Sequence, residues 1–93
     1  MSFALGNLYA RQNRWNEAQN AYFDALLRAK SAGGGPINPD YAYNLAVSLE
    51  RINQLQAALE YYREAAEFSR NAIPGFDPAL LNQRMTYLEQ RLR

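Results

Sequence analysis

The chain has 93 residues, of which 48% are hydrophobic and 20% charged, with a formal net charge of +1. That composition is globular rather than disordered, and the length allows one small domain that buries a modest share of its surface. It contains neither Cys nor His, which excludes disulfides, thiolate chemistry and metal sites built on those ligands, and removes the commonest general acid–base residue.

The near-neutral charge gives no long-range field to attract nucleic acid. No apolar run is long enough to insert this segment into a membrane, and residues 1–2 lead straight into a helical pattern rather than a signal peptide.

The first helix is expected over residues 2–12, with Ser2 as its cap, and Arg11 to Asn16 as the turn that follows. A second helix is expected from Trp15 or Asn16 to Ser31, with Trp15 covering the turn. Asp24 and Arg28 on that helix form an i,i+4 pair in the favourable order, worth a few tenths of a kcal/mol. Gly33-Gly34-Gly35-Pro36 then ends the helix and forms a flexible connector over residues 32–37. A phosphate-cradling loop needs glycines that open a helix after a strand, but these follow a helix and run into Ile37.

Asn38-Pro39-Asp40 starts a third helix: an N-cap, a proline at the first helical position and an acid at the positive helix end. It is expected to end near Arg51, and a fourth helix to run over residues 55–71. Asp77-Pro78 repeats the start signal for a fifth, over residues 78–91. Leu81, Met85 and Leu88 form its apolar face, continued by Leu92, with Asn82, Gln83, Arg84, Glu89, Gln90 and Arg93 on its polar back.

The first four helices form a repeat. Leu5 matches Leu45, Asn13 matches Asn53, Ala18 matches Ala58, Tyr22 matches Tyr62 and Ala25 matches Ala65, each at the same offset (58 − 18 = 40). A constant offset at small and aromatic positions marks stacked units. Ala18 and Ala58 lack bulk where two helices cross, and Tyr22 and Tyr62 fill the space one turn later on the same face. Asn13 and Asn53 sit between the paired helices, where a residue at positive φ is needed.

Leu5-Gly6-Asn7-Leu8-Tyr9 followed by Ala18-x-x-x-Tyr22-x-x-Ala25 resembles the tetratricopeptide repeat, as does Leu45 to Leu49 followed by Ala58-x-x-x-Tyr62-x-x-Ala65. Ala46 replaces the usual glycine and Leu49 the usual tyrosine in the second unit. The spacing exceeds the family's, which is about 34 residues, and the glycine-rich loop accounts for the excess. The resemblance implies an all-α fold of stacked antiparallel hairpins, a segment of right-handed α-solenoid. It comprises one domain over residues 1–93: repeat one at 2–31, the loop, repeat two at 38–72 and a capping helix at 77–92. In that family the first helix starts earlier, with a large aromatic near the place of Ser2, so the chain is expected to be a segment of a longer protein with Met1 added.

The resemblance also implies that the first helices line a groove, offering Phe3, Asn7, Ala10 and Arg11, then Tyr43, Asn44, Val47, Glu50 and Arg51, then Asn82, Thr86 and Gln90. Amides and guanidinium groups suit an extended peptide or a helix, and aromatics cover its side chains. Phe3 and Tyr43 either face that groove or pack between units. One subclass of the family clamps chaperone tails with Lys, Asn and Arg; Asn7 matches one place, but aromatics stand where Lys is expected.

Catalysis has no support. Glu60, Glu64 and Glu67 read as a solvated helix face with Arg63 among them, and Lys30 beside Ser31 has no enclosing pocket. The arginines are spread over several faces rather than forming a nucleic-acid stripe. The expected function is therefore a non-catalytic module that binds a protein segment and needs no cofactor or metal. The alternative is an assembly segment of a larger repeat protein, acting through stacking or as a homo-oligomer. Asn38 to Ala46 resembles segments of bacterial pilus and secretion machinery, which would place such a chain in the cytoplasm or the periplasm.

Overall fold

A computed structural model describes residues 2–93, so the expectation for Met1 lies outside it. Five helices follow one another: α1 (Ser2–Arg11), α2 (Trp15–Ala32), α3 (Pro39–Arg51), α4 (Leu55–Phe68) and α5 (Pro78–Arg91), with no strand among the described residues. Each helix packs on its chain neighbours. The path zigzags between two layers, α1, α3 and α5 in one and α2 and α4 in the other.

The two hairpin turns are built alike. Asn13 and Asn53 take positive φ, 59° and 64°. The next amide then reaches back past the helix end: Arg14 N–H donates to the Tyr9 carbonyl (2.9 Å), and Gln54 N–H to the Leu49 carbonyl (2.8 Å). These bonds satisfy carbonyls that the ending helix leaves open. Asparagine is tolerated at this conformation better than most residues with a Cβ.

Caps set the other boundaries. Asn38 Oδ1 accepts from the Asp40 amide and Asp77 Oδ1 from the Ala79 amide, both at 2.9 Å, each with proline at the first helical position. Gly33, in the left-handed region at φ 62°, ends α2. Helix α4 stops at Phe68, three residues short of the expected end at Asn71. There Ser69 Oγ bonds back to the Ala65 carbonyl, and the Arg70 and Asn71 amides bond to Glu67 and Phe68, so the chain tightens into a turn.

The core is the repeat made physical. Ala18 and Ala58 are fully buried, and Tyr22 and Tyr62 nearly so, with Ala25, Ala65, Leu26, Leu45, Ala46 and Leu49 around them. The small residues let the paired helices close, and each tyrosine ring fills the gap. The closest approach is at Gly6, where an added Cβ would lie 2.6 Å from the Tyr22 ring. Unit two has Ala46 at the equivalent place, also fully buried.

Helix α5 is held over unit two at several points. Leu81 and Leu88 are buried against it, while Arg63 of α4 reaches Glu89 at 3.2 Å. The Gly75 amide donates to Asp40 Oδ1 (2.7 Å), and Phe76 stacks on Tyr43 with ring centroids 4.1 Å apart. Leu92 does not continue the apolar face. It lies beyond the last helical residue, where the backbone (φ −90°, ψ 2°) leaves the helix, and it is exposed.

Gly6→Val should lower unfolding stability by about 2 kcal/mol, because a fixed aromatic ring occupies the space the side chain needs. Gly34→Ala, in open space, should leave it unchanged or raise it by less than about 1 kcal/mol. Urea titration of the two variants compares them directly.

Candidate functional site

The first-helix layer carries a cleft of about 490 Å³ between α3 and α5. Tyr43, Val47, Glu50 and Arg51 of α3 line one side, Leu80 and Arg84 of α5 the other, and Tyr62 reaches in from α4. Their placement follows from helical spacing. Tyr43, Val47 and Glu50 fall three and four residues apart and share one flank of α3. The same spacing brings Leu80 and Arg84 to the facing flank of α5.

A charge network fixes the cleft's middle. Tyr62 Oη donates to Glu50 Oε1 at 2.8 Å, Arg84 Nε donates to the same oxygen at 3.2 Å, and Arg84 Nη2 forms an ion pair with Glu50 Oε2. The Glu50 carboxylate is mostly buried and Arg84 partly so, and the pair joins α3 to α5. Burial pushes the Tyr62 phenol well above its ordinary value near 10, and it raises Tyr43 as well. Both phenols are therefore neutral hydrogen-bonding groups at physiological pH.

The expected site residues separate into three groups. Tyr43, Val47 and Arg51 meet at this cleft, with Glu50 beside them. Tyr43 also packs on Phe76 of the connector to α5 and against Tyr62 of its own unit at 5.6 Å. Asn82 and Thr86 lie apart, with Gln83, Tyr87 and Gln90, on the outward side of α5. In unit one, Phe3 is wedged between Tyr22 (5.6 Å) and Tyr41 (4.9 Å) and borders a depression with Ser2, Ala25 and Arg28.

Two of the amides are already engaged: Asn7 Oδ1 accepts from Tyr22 Oη (2.6 Å), and Asn44 Nδ2 donates to the Asp40 carbonyl (2.9 Å). Arg11 is exposed at the last turn of α1, and Arg51 at the last turn of α3, its guanidinium 5.3 Å from the Trp15 ring centre. Sequence reasoning missed Leu80 and Arg84 as cleft residues. Arg84, expected on the polar back of α5, turns instead to Glu50. The reason is the packing of α5 on unit two, a long-range arrangement that carries no sequence signal.

Other chemistry finds little footing. The described residues contain no group of three or more Asp or Glu placed to hold a metal ion. Lys30 pairs with Glu64 across α2 and α4 at 2.8 Å. No helix is long and apolar enough to cross a membrane.

The sequence model of the tetratricopeptide repeat matches residues 3–73, which covers both hairpins. No curated protein gives a match. The chain belongs to the tetratricopeptide repeat family, an all-α helical-repeat solenoid whose members generally serve as protein-interaction modules and are typically non-catalytic.

The raised phenols give a pH prediction. A group whose pKa rises on folding contributes stability that is complete below its unfolded value and lost above it. Unfolding stability should therefore decline as pH passes about 10. Tyr62→Phe should make that decline shallower, and should cost about 1 kcal/mol at neutral pH through the lost bond to Glu50. Denaturant titrations at several alkaline pH values measure both effects.

Proposed function

We propose that this chain binds a peptide or helix of a partner protein across its first-helix face, without catalysis. The observation that carries this reading is the cleft between α3 and α5. It joins apolar walls (Val47, Leu80 and the Tyr43 ring) to a fixed charge pair and an exposed arginine. An interaction site of this kind needs an apolar anchor pocket with a polar rim. Asn82 and Thr86 on α5, and Phe3, Asn7 and Arg11 on α1, extend the same layer on either side, so an elongated segment has further surface to follow.

Val47 is the residue on which to test it. Tyr43 supports Phe76, so its truncation would disturb folding as well as binding. Val47→Glu should weaken a segment selected on the intact chain by about tenfold or more, as expected for an anchor pocket. Glu60→Ala, in the other layer, should change affinity by less than about twofold. Amide shifts on titration should cluster on α3 and α5. Shifts confined to α2 and α4, with Val47→Glu silent, would overturn the reading.

A second reading, assembly by stacking, has its own observation. Leu5 and Leu8 of α1 are 43% and 42% exposed. Their counterparts in unit two, Leu45 and Ser48, are fully buried. The open face of α1 is thus chemically the one that takes a neighbour in unit two. Under this reading the mass from light scattering rises with concentration and Leu8→Glu reverses the rise; a constant monomer mass removes self-association.

A further inference from the structure

The ion pairs leave an uneven remainder. Six carboxylates are paired: Glu17, Asp24, Glu50, Glu64, Glu67 and Glu89. Asp40 and Asp77 accept backbone amides at helix starts. Only Glu60 has no such partner among the described residues, and it lies on α4, in the layer away from the cleft. Among the described residues four arginines have no carboxylate partner: Arg11, Arg51, Arg91 and Arg93. Arg91 donates to Tyr87 Oη, and Arg93 follows the last helix.

Arg11 and Arg51 are different in kind. They occupy the same position in successive units, one repeat apart (51 − 11 = 40), each in the last turn of a first helix. Each also stands two residues before the positive-φ asparagine of its hairpin turn, Asn13 or Asn53, so the two hold matching places in their hairpins. Arg51 borders the cleft, and its stacking on Trp15 braces the guanidinium plane while leaving its N–H edge free. A helix C-terminus favours a cation by about 0.3–1 kcal/mol, which explains an arginine there but not the lack of an acidic neighbour at both.

From this we infer that the segment bound on the first-helix face is acidic: its carboxylates meet Arg51 and Arg11, and an apolar side chain enters the cleft beside Val47 and Leu80. The inference rests on the peptide-binding reading above and gives the ligand its charge. Two carboxylates along one elongated segment would each form a charge-assisted bond with one of these guanidinium groups. Nucleic acid fits less well. Two free cations make few phosphate contacts, and Glu50 and the apolar walls lie between them and α5.

Phage display of random 12-residue peptides on the intact chain tests this, with affinities read by fluorescence anisotropy of the enriched peptides. Enrichment of peptides with at least two Asp or Glu residues and one large apolar residue is expected. Arg51→Gln and Arg11→Gln should each weaken them by about tenfold, the loss of a charge-assisted bond. Replacing the peptide acids by amides should cost about the same on the native chain and little on the Arg51→Gln chain. Circular dichroism confirms the fold of each variant.

Neutral or basic peptides that respond to Val47→Glu but not to the arginine variants would overturn the acidic ligand and leave the groove reading standing. Peptides indifferent to all three variants, or no enrichment at all, would overturn both. A labelled dT12 oligonucleotide bound as tightly, with the same arginine dependence, would also overturn the proposal, since charge alone would then explain the binding.

Discussion

The structure depends on one steric contact made twice: a tyrosine ring laid into a place where the facing helix has almost no side chain. In unit one the facing residue is Gly6, close enough to the Tyr22 ring that even a methyl group would overlap it. In unit two it is Ala46, facing the hairpin partner that carries Tyr62, and both residues are buried. A ring of this size excludes water from a large apolar area at little conformational cost. The facing residue therefore sets how near the two helices come, and their approach fixes where every other side chain of the hairpin can lie.

The same contact shapes the site. A tyrosine buried this deeply must place its hydroxyl on a partner, because an unpaired polar group in the core is costly. Both hydroxyls emerge on the first-helix side. In unit one the partner is the neutral Asn7; in unit two it is Glu50, which also holds Arg84. The acceptor also moves along the helix: Val47 stands at the place of Asn7 and Glu50 at the place of Ala10, and the change turns a structural hydrogen bond into a charged bridge to the next helix. The cleft opens beside that bridge, so the demand for a buried phenol's partner and the position of the candidate site are linked.

Much of the fold was legible in the chain because the signals were local. Asn38-Pro39 and Asp77-Pro78 encode helix starts through backbone chemistry within three residues, and Asn13 and Asn53 encode turns through a single dihedral. The repeat pairs Ala18 with Ala58 and Tyr22 with Tyr62 through volume alone, and all four lie in the core. The site was less legible. Phe3 and Tyr43 suit two readings because an aromatic at a unit boundary fits either: Phe3 packs on Tyr41 of unit two, while Tyr43 both lines the cleft and stacks on Phe76. Arg84 and Leu80 reach the cleft through the packing of α5 on unit two, a long-range arrangement with no local code. The early end of α4 is a tightening of the backbone, with the Arg70 and Asn71 amides bonding three residues back; the Ser69 back-bond is no stop signal, since Ser48 makes the same one inside α3.

Helix α5 shows how the repeat changes character along the chain. Its start aligns with that of α3, since Asp77-Pro78 follows Asn38-Pro39 by 39 residues (77 − 38 = 39). That register sets Met85 at the place of Ala46 and Arg84 at the place of Leu45. A thioether chain stands where the earlier units keep a small residue for a tyrosine ring, and Met85 packs against the existing core instead. The replacement of Leu45 by Arg84 has the complementary effect. In α3 that position is buried and apolar, whereas in α5 it carries the guanidinium that reaches Glu50. This second change places the charged bridge in the middle of the cleft. One departure of α5 from the repeat pattern, Arg84, thus forms the cleft's second wall together with Leu80.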